Sequence, residues 1–188
     1  MTGIILFRAQ PFHNGHLVQI QRAYKDVEKF SGNLYVIVGS ADKCGTKRNP
    51  IPISTRLDLI IGALKDEFKP EEFQRIHVVP LIDLSDEANN TYSWGDYLYE
   101  KLCEITYDKD FVFYYSDKPE IVLSWFDDPT RMHLWFKFLP RHNNINATTI
   151  RKCLLEFTEC DKRVLKDWLP EYVYEQRNIL HQYIVNAQ

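Results

Sequence analysis

Two histidines, His13 and His16, stand three residues apart with Gly15 between them and Arg8 just upstream. The stretch Arg8-Ala9-Gln10-Pro11-Phe12-His13-Asn14-Gly15-His16 follows an apolar run and precedes a helical pattern, so it reads as a strand-to-helix loop. The spacing puts both imidazoles on one side of a first helical turn. Gly15, lacking a Cβ, lets a ligand approach the backbone. The positive end of a helix and its free N–H groups favour anions, which makes the loop suited to phosphate, with Arg8 adding a permanent charge. A pair of surface histidines and an i,i+3 metal chelate borrowing a cysteine are the competing readings of the same residues.

A second cluster lies late in the chain, at Asn146-Ala147-Thr148-Thr149-Ile150-Arg151. Asn146 is a good N-cap before the periodic apolar residues Ile150, Cys153, Leu154 and Phe157, so Thr148 and Arg151 fall at the start of a helix. A cation at the positive end of a helix is unfavourable unless an anion joins it. A surface Arg paired with a nearby acid is the alternative. Arg56 follows Ser54 and Thr55, either of which would cap its helix, and it reads equally as a phosphate contact or as part of a solvated face. Lys43, Lys47 and Arg48 lie in a Gly-containing loop that reads either as closing over phosphates or, the favoured reading, as solvated. The segment from Asp83 to Trp94 is rich in acids and aromatics, with Trp94 and Tyr97 spaced to face a core.

These groups need a scaffold, and the pattern supplies one. Short apolar runs at Gly3–Phe7, Leu34–Gly39, Ile76–Leu81, Phe111–Tyr115 and Met132–Leu139 suit parallel strands covered on both faces. Between the first two, Leu17, Ile20, Ala23, Tyr24, Val27 and Phe30 recur with helical period. Five such alternations predict an α/β fold, a doubly wound Rossmann-like parallel five-stranded sheet, with helices from Ala147 onward, one of them opened by Pro170. Ligands bind at the carboxyl ends of such strands. The loops to search are therefore Arg8–His16, Ser40–Ser54, Ile82–Ser93, Ser116–Pro119 and Pro140–Thr148.

The chain has 188 residues and a formal charge of -3, which predicts one domain, with a core over 1–157 and C-terminal helices over 158–188. The charge argues against nucleic acid or an anionic membrane as partner. The N-terminus lacks a basic n-region and no apolar run is long enough to span a bilayer, so the expected location is the cytoplasm. Cys44, Cys103, Cys153 and Cys160 form no C-x-x-C pair and read as reduced thiols.

The motifs resemble a known family. His13-x-Gly15-His16 is similar to the H-x-G-H signature of the nucleotidylyltransferase superfamily. The longer Arg8-x-Gln10-Pro11-Phe12-His13-x-Gly15-His16 resembles its version in archaeal-type nicotinamide-nucleotide adenylyltransferases. Gly39-Ser40-Ala41, Asn49-Pro50, Arg56, Trp94 and the late Thr148-x-Ile150-Arg151 follow in that family's order. Phe7 and Ala9 flank Arg8 where the family usually has Gly and Phe, Asn146 replaces a Ser, and Ser116-Asp117 stands where Gly-Asn is common.

The resemblance implies transfer of AMP from ATP to nicotinamide mononucleotide, with Mg²⁺ carried on the nucleotide and homo-oligomerisation left open. It places His13, His16, Arg8 and Arg151 in catalysis. Phe7, Ala9, Gly15, Ser116, Asp117, Asn146 and Thr148 join them around ATP, and Gly39, Ser40, Arg56, Asp83, Asn90 and Trp94 hold the acceptor, Trp94 by stacking on its cationic pyridinium ring. Two rivals remain at this point. One is a CTP-dependent relative, which would carry an R-T-x-G-I-S-T-T segment in place of Ile145–Arg151; the other is a non-catalytic nucleotide-binding regulator.

Overall fold

Apolar, β-prone runs become strands when helices cover both faces of the sheet they form. The computed structural model describes residues 1–84 and 91–188. Its elements are β1 (Thr2–Phe7), α1 (Asn14–Glu28), β2 (Asn33–Val38), α2 (Ile53–Glu67), α3 (Pro70–Phe73), β3 (Ile76–Pro80) and α4 (Thr91–Thr106). They continue with β4 (Phe111–Tyr115), α5 (Pro119–Leu123), α6 (Asp128–Arg131), β5 (Leu134–Phe138), α7 (Ala147–Glu156), α8 (Glu159–Trp168), α9 (Glu171–Glu175) and α10 (Arg177–Asn186).

The strands form one parallel sheet in the order β3-β2-β1-β4-β5. β1 is paired along its length with β2, from Thr2 opposite Asn33 to Phe7 opposite Val38, and with β4 on its other edge. The chain winds one way from β1 to β3 and then returns to β4, so the strand order reverses between β1 and β4. Loops leaving those two strands diverge and open a crevice above the sheet. This is the Rossmann-like architecture expected from the alternating pattern.

Strand residues alternate between two cores, as a period of two requires. Ile5, Val36 and Val38 join α1, α2 and the C-terminal helices in one cluster; Ile4, Ile37 and Phe113 join α4 in the other. Helices α7 to α10 are tied to the first cluster through Leu154, Leu165, Val173, Leu180 and Ile184, all buried. Thr158 opens α8 by accepting from the Asp161 amide while the Asp161 carboxylate accepts from the Thr158 amide. Pro170 precedes the short α9, as its position in the sequence implies.

Two local expectations are corrected. Phe30 lies beyond the last turn of α1 and is 64% exposed, because the helix ends at Glu28. Ser54 and Thr55 do not cap α2: the helix starts earlier, after Pro52, whose carbonyl accepts the Arg56 amide. Proline fits there because a helix start has no use for its missing N–H. Among the described residues no helix is long and apolar enough to cross a membrane.

Candidate functional site

The site begins where β1 ends. His13 is the residue flanking α1, with extended backbone (φ -150°, ψ 169°), and its carbonyl accepts from the amides of His16 and Leu17 at 2.9 and 3.1 Å. Its side chain does not cap the helix. Instead the His13 and His16 rings stack, with Phe7 and Phe12 packed against His16. Burial lowers the His13 pKa to about 4, and burial together with His13 holds His16 well below the ordinary imidazole range. Both rings are therefore neutral near pH 7. Their Nδ1 atoms are buried with no hydrogen-bond partner among the described residues.

Gly15 has a sharper role than backbone access alone. A Cβ there would lie 2.9 Å from Cε1 and Nδ1 of His13, so only glycine leaves the ring its place.

A cleft of about 320 Å³ opens over the β1/β4 reversal. Phe7, Arg8, Ala9, His13, Gly15 and His16 line it from the first loop, Ser116 and Asp117 from the end of β4, and Asn146, Thr148 and Arg151 from α7 and its cap. Asn146 caps α7, its side chain accepting from the Thr149 amide at 2.9 Å. Arg151 donates to the Gln10 carbonyl at 2.8 Å and to Thr148 Oγ1 at 3.4 Å, so it leans back toward the first loop across the helix start. The cations repel one another: burial and Arg48 pull Arg8 down, and burial and Arg8 pull Arg151 down. Guanidinium groups stay charged regardless, so the cleft holds positive charge in search of an anion. The metal-chelate reading of His13 and His16 finds no support, since no group of three or more His, Cys, Asp or Glu side chains able to hold an ion occurs among the described residues.

Of the residues read as acceptor contacts, Gly39, Ser40 and Asp83 follow β2 and β3, Arg56 is on α2 and Trp94 on α4, and none of these five lines the cleft. The Ser40 amide and hydroxyl donate to Asp83 Oδ1 at 3.1 and 3.2 Å, which pins the Gly39–Ser40 turn. Ser40 holds a left-handed backbone (φ 50°). Trp94 is half-buried on α4, 5.8 Å from Tyr97 by ring centroids, and packs against the second core cluster. Asn90 lies outside the described residues.

The solvated-face reading of Arg56 is corrected. It is 0% exposed, and its guanidinium donates to the carbonyls of Arg8, Gly39 and Ser40 at 2.8, 2.8 and 2.7 Å. It sits on no solvated face: three of its five N–H donors are committed to backbone carbonyls, and its buried Nε has no hydrogen-bond partner among the described residues. Helical period could not reveal this, because three orphan carbonyls meet the α2 start only once β1 and β2 lie side by side.

The cleft also takes in Gln10, Gln19, Arg141 and His142, to which the sequence pattern assigns no role, together with Arg48. Arg141 closely follows β5 and pairs with Asp117. Its position in a strand-end loop is the signal that could have marked it. Arg48, an exposed residue of the loop after β2, lines the cleft, and the stretch that follows it is anchored at Ile51 by the Gln10 side chain.

A family model described as cytidylyltransferase-like matches residues 8–153, most of the chain. The chain belongs to the cytidylyltransferase-like family. That family lies within the nucleotidylyltransferase superfamily, in keeping with the resemblance of the histidine loop. The nicotinamide-nucleotide adenylyltransferase of Saccharolobus solfataricus is 27% identical over 153 residues, 81% of this chain and 78% of that one. The enzyme of the same name from Thermococcus kodakarensis is 29% identical over 96 residues, 51% of this chain and 46% of its own.

Among solved structures, a bifunctional NMN adenylyltransferase/ADP ribose pyrophosphatase from Francisella tularensis, complexed with AMP and a manganese ion, superposes with a TM-score of 0.74 at 18% identity. The match covers 98% of this chain and 51% of the Francisella one, and at that identity the likeness concerns the fold. This cytidylyltransferase-like chain thus spans about half the length of the Thermococcus and Francisella proteins.

Proposed function

We propose that the chain transfers AMP from ATP to nicotinamide mononucleotide, forming NAD and pyrophosphate. The observation that carries this reading is the convergence of two neutral imidazoles, four arginines (Arg8, Arg48, Arg151 and Arg141, the last paired with Asp117) and two helix N-termini on one cleft at the strand-order reversal. The names of the relatives support the pyridine acceptor, as does the Trp94/Tyr97 aromatic pair, whose Tyr97 hydroxyl donates to the carbonyl of Ile82, the residue before Asp83.

The geometry fits phosphoryl chemistry that needs no general base. An acceptor phosphate is already largely ionised near pH 7, its second pKa being about 6. One of its oxygens attacks the α-phosphorus; the bond from that phosphorus to the bridging oxygen breaks, and pyrophosphate leaves with the electron pair. The barrier is one of bringing polyanions together and of charge growing on the leaving group. Arg8, Arg48 and Arg151 supply the positive charge. His13 and His16, neutral at this pH, act as N–H donors, His16 to the α-phosphoryl oxygens of the transition state.

A divalent ion bound with the nucleotide would further neutralise the phosphates. The cleft fits an ion that arrives this way. Asp117, a carboxylate in its lining, is engaged by Arg141, so phosphate oxygens and water would hold the metal.

The test is a pyrophosphate-release screen of four nucleoside triphosphates against phosphorylated acceptors with Mg²⁺. ATP with nicotinamide mononucleotide should turn over fastest. Faster turnover with CTP would move the chain to the cytidylyl branch of its family, and no turnover with any pair would leave a binding protein.

A further inference from the structure

Arg8, Arg48 and Arg151 face one cleft from three separate segments: the loop after β1, the loop after β2, and α7. Like charges push these segments apart when no anion lies between them. Burial is the main cause that lowers the Arg8 pKa, and Arg48, the second, is one sign of that repulsion. Something other than the charges themselves must set their spacing.

Gln10 is placed to do so. It is 3% exposed. Its Nε2 donates to the Ile51 carbonyl at 3.1 Å, and its Oε1 accepts from the Ile51 amide at 2.9 Å. One side-chain amide thus satisfies both backbone groups of a residue far away in sequence, as a neighbouring strand would. Flipping the amide would set donor against donor and acceptor against acceptor, so the pairing fixes its orientation. Ile51 is itself fully buried and lies three residues after Arg48. On its other side the Gln10 carbonyl accepts from Arg151.

We propose that Gln10 is a positioning residue that presets the separation of Arg8 and Arg48 for the polyphosphate of a nucleoside triphosphate, acting through the Ile51 backbone. The inference rests on the nucleotide reading above. A neutral amide is the side chain that this position requires. Lys would donate only and add repulsion, whereas Glu would accept only and neutralise the cations that the phosphates need. With the clasp intact, the ordering of the Arg48 segment is complete before nucleotide arrives.

The test is a double-mutant cycle read by titration calorimetry of the full chain with the magnesium complex of α,β-methylene ATP. Gln10→Met keeps the side-chain length and loses both bonds to Ile51. It should bind about 5–150-fold more weakly than the wild type, the range expected for two neutral hydrogen bonds that preorganise a site. Arg48→Ala should bind about tenfold more weakly.

If Gln10 acts through Arg48, the double variant should bind within about twofold of Arg48→Ala alone, because the clasp then has no charge left to place. Fully additive losses would make Gln10 merely structural, and wild-type affinity in Gln10→Met would also overturn the proposal. Failure of the wild type to bind the analogue would sink the nucleotide reading together with this one. Normal wild-type binding with an unchanged Gln10 variant sinks this inference alone. If Gln10→Met does not melt cooperatively, Gln10→Asn takes its place in the cycle, since it is one methylene too short to reach both groups of Ile51 and carries the same expectation.

Discussion

The imidazole rings of His13 and His16 lie 3.7 Å apart by centroids and 18° from parallel. Two protonated rings could not hold that contact, so the pair is built to be neutral. The catalytic consequence is that His16 should act as a hydrogen-bond donor to charge that exists only in the transition state. His16→Ala should lower kcat by about 10²–10³-fold and leave the acceptor KM nearly unchanged. A near-normal kcat in that variant would remove His16 from the chemistry.

The same neutrality has a pH signature. The His13 pKa is about 4 in the folded protein against 6.5 for the free side chain, and that of His16 is lowered in the same direction. Between those values the unfolded chain binds more protons than the folded one, so stability is intact above about pH 6.5 and is lost as pH falls toward 4. The full His13 contribution is on the order of 3 kcal/mol. Denaturant titrations of the ligand-free protein from pH 7.5 to 4.5 should show this loss, and His13→Asn should flatten the profile. Superimposable pH profiles for the two proteins would contradict the buried neutral state.

Gly15 should be intolerant of even one methyl group. A Cβ would fall 2.9 Å from the His13 ring, and His13 is only 5% exposed, with little room to retreat. Gly15→Ala should therefore displace the imidazole by a fraction of an ångström and reduce kcat about 10–100-fold, while circular dichroism shows the helix content unchanged. Wild-type turnover in this variant would mean that His13 placement does not matter to rate.

Arg56 should prove a stability residue. Replacing it by Met leaves three carbonyls at the ends of β1 and β2 without their donor, at a cost of about 3–5 kcal/mol in urea unfolding. Arg56→Lys, with one ammonium for three acceptors, should recover only part of it. A loss below about 1 kcal/mol in Arg56→Met would show that these bonds are replaced by water.

Trp94 should report on two properties at once. Because it packs on the second core cluster, Trp94→Ala should cost roughly 1–3 kcal/mol of stability, less than for a fully buried aromatic. If it also stacks on the pyridinium ring, acceptor KM should rise about 5–30-fold with kcat within a few-fold. An unchanged melting temperature would deny the packing role, and an unchanged acceptor KM in a folded variant would deny the stacking one.

The strands, the Asn146 cap and the histidine loop could be read from the sequence because each depends on neighbours close along the chain. Buried parallel strands must be apolar on both faces, so β1, β2 and β4 appear as continuous runs within a residue or so of their observed ends. A cap needs only a side-chain oxygen near its own amides, which Asn146 has. Arg56, Arg48 and Gln10 obey no such local rule. Whether an arginine near a helix start meets solvent, a ligand or backbone carbonyls depends on which strand ends lie above it, and that follows from the order β3-β2-β1-β4-β5. Tertiary structure alone placed Arg56 beneath the loops, joined Gln10 to the Ile51 backbone, and brought Arg151 to the Gln10 carbonyl, because hydrogen bonds between segments form only after the sheet has brought those segments together.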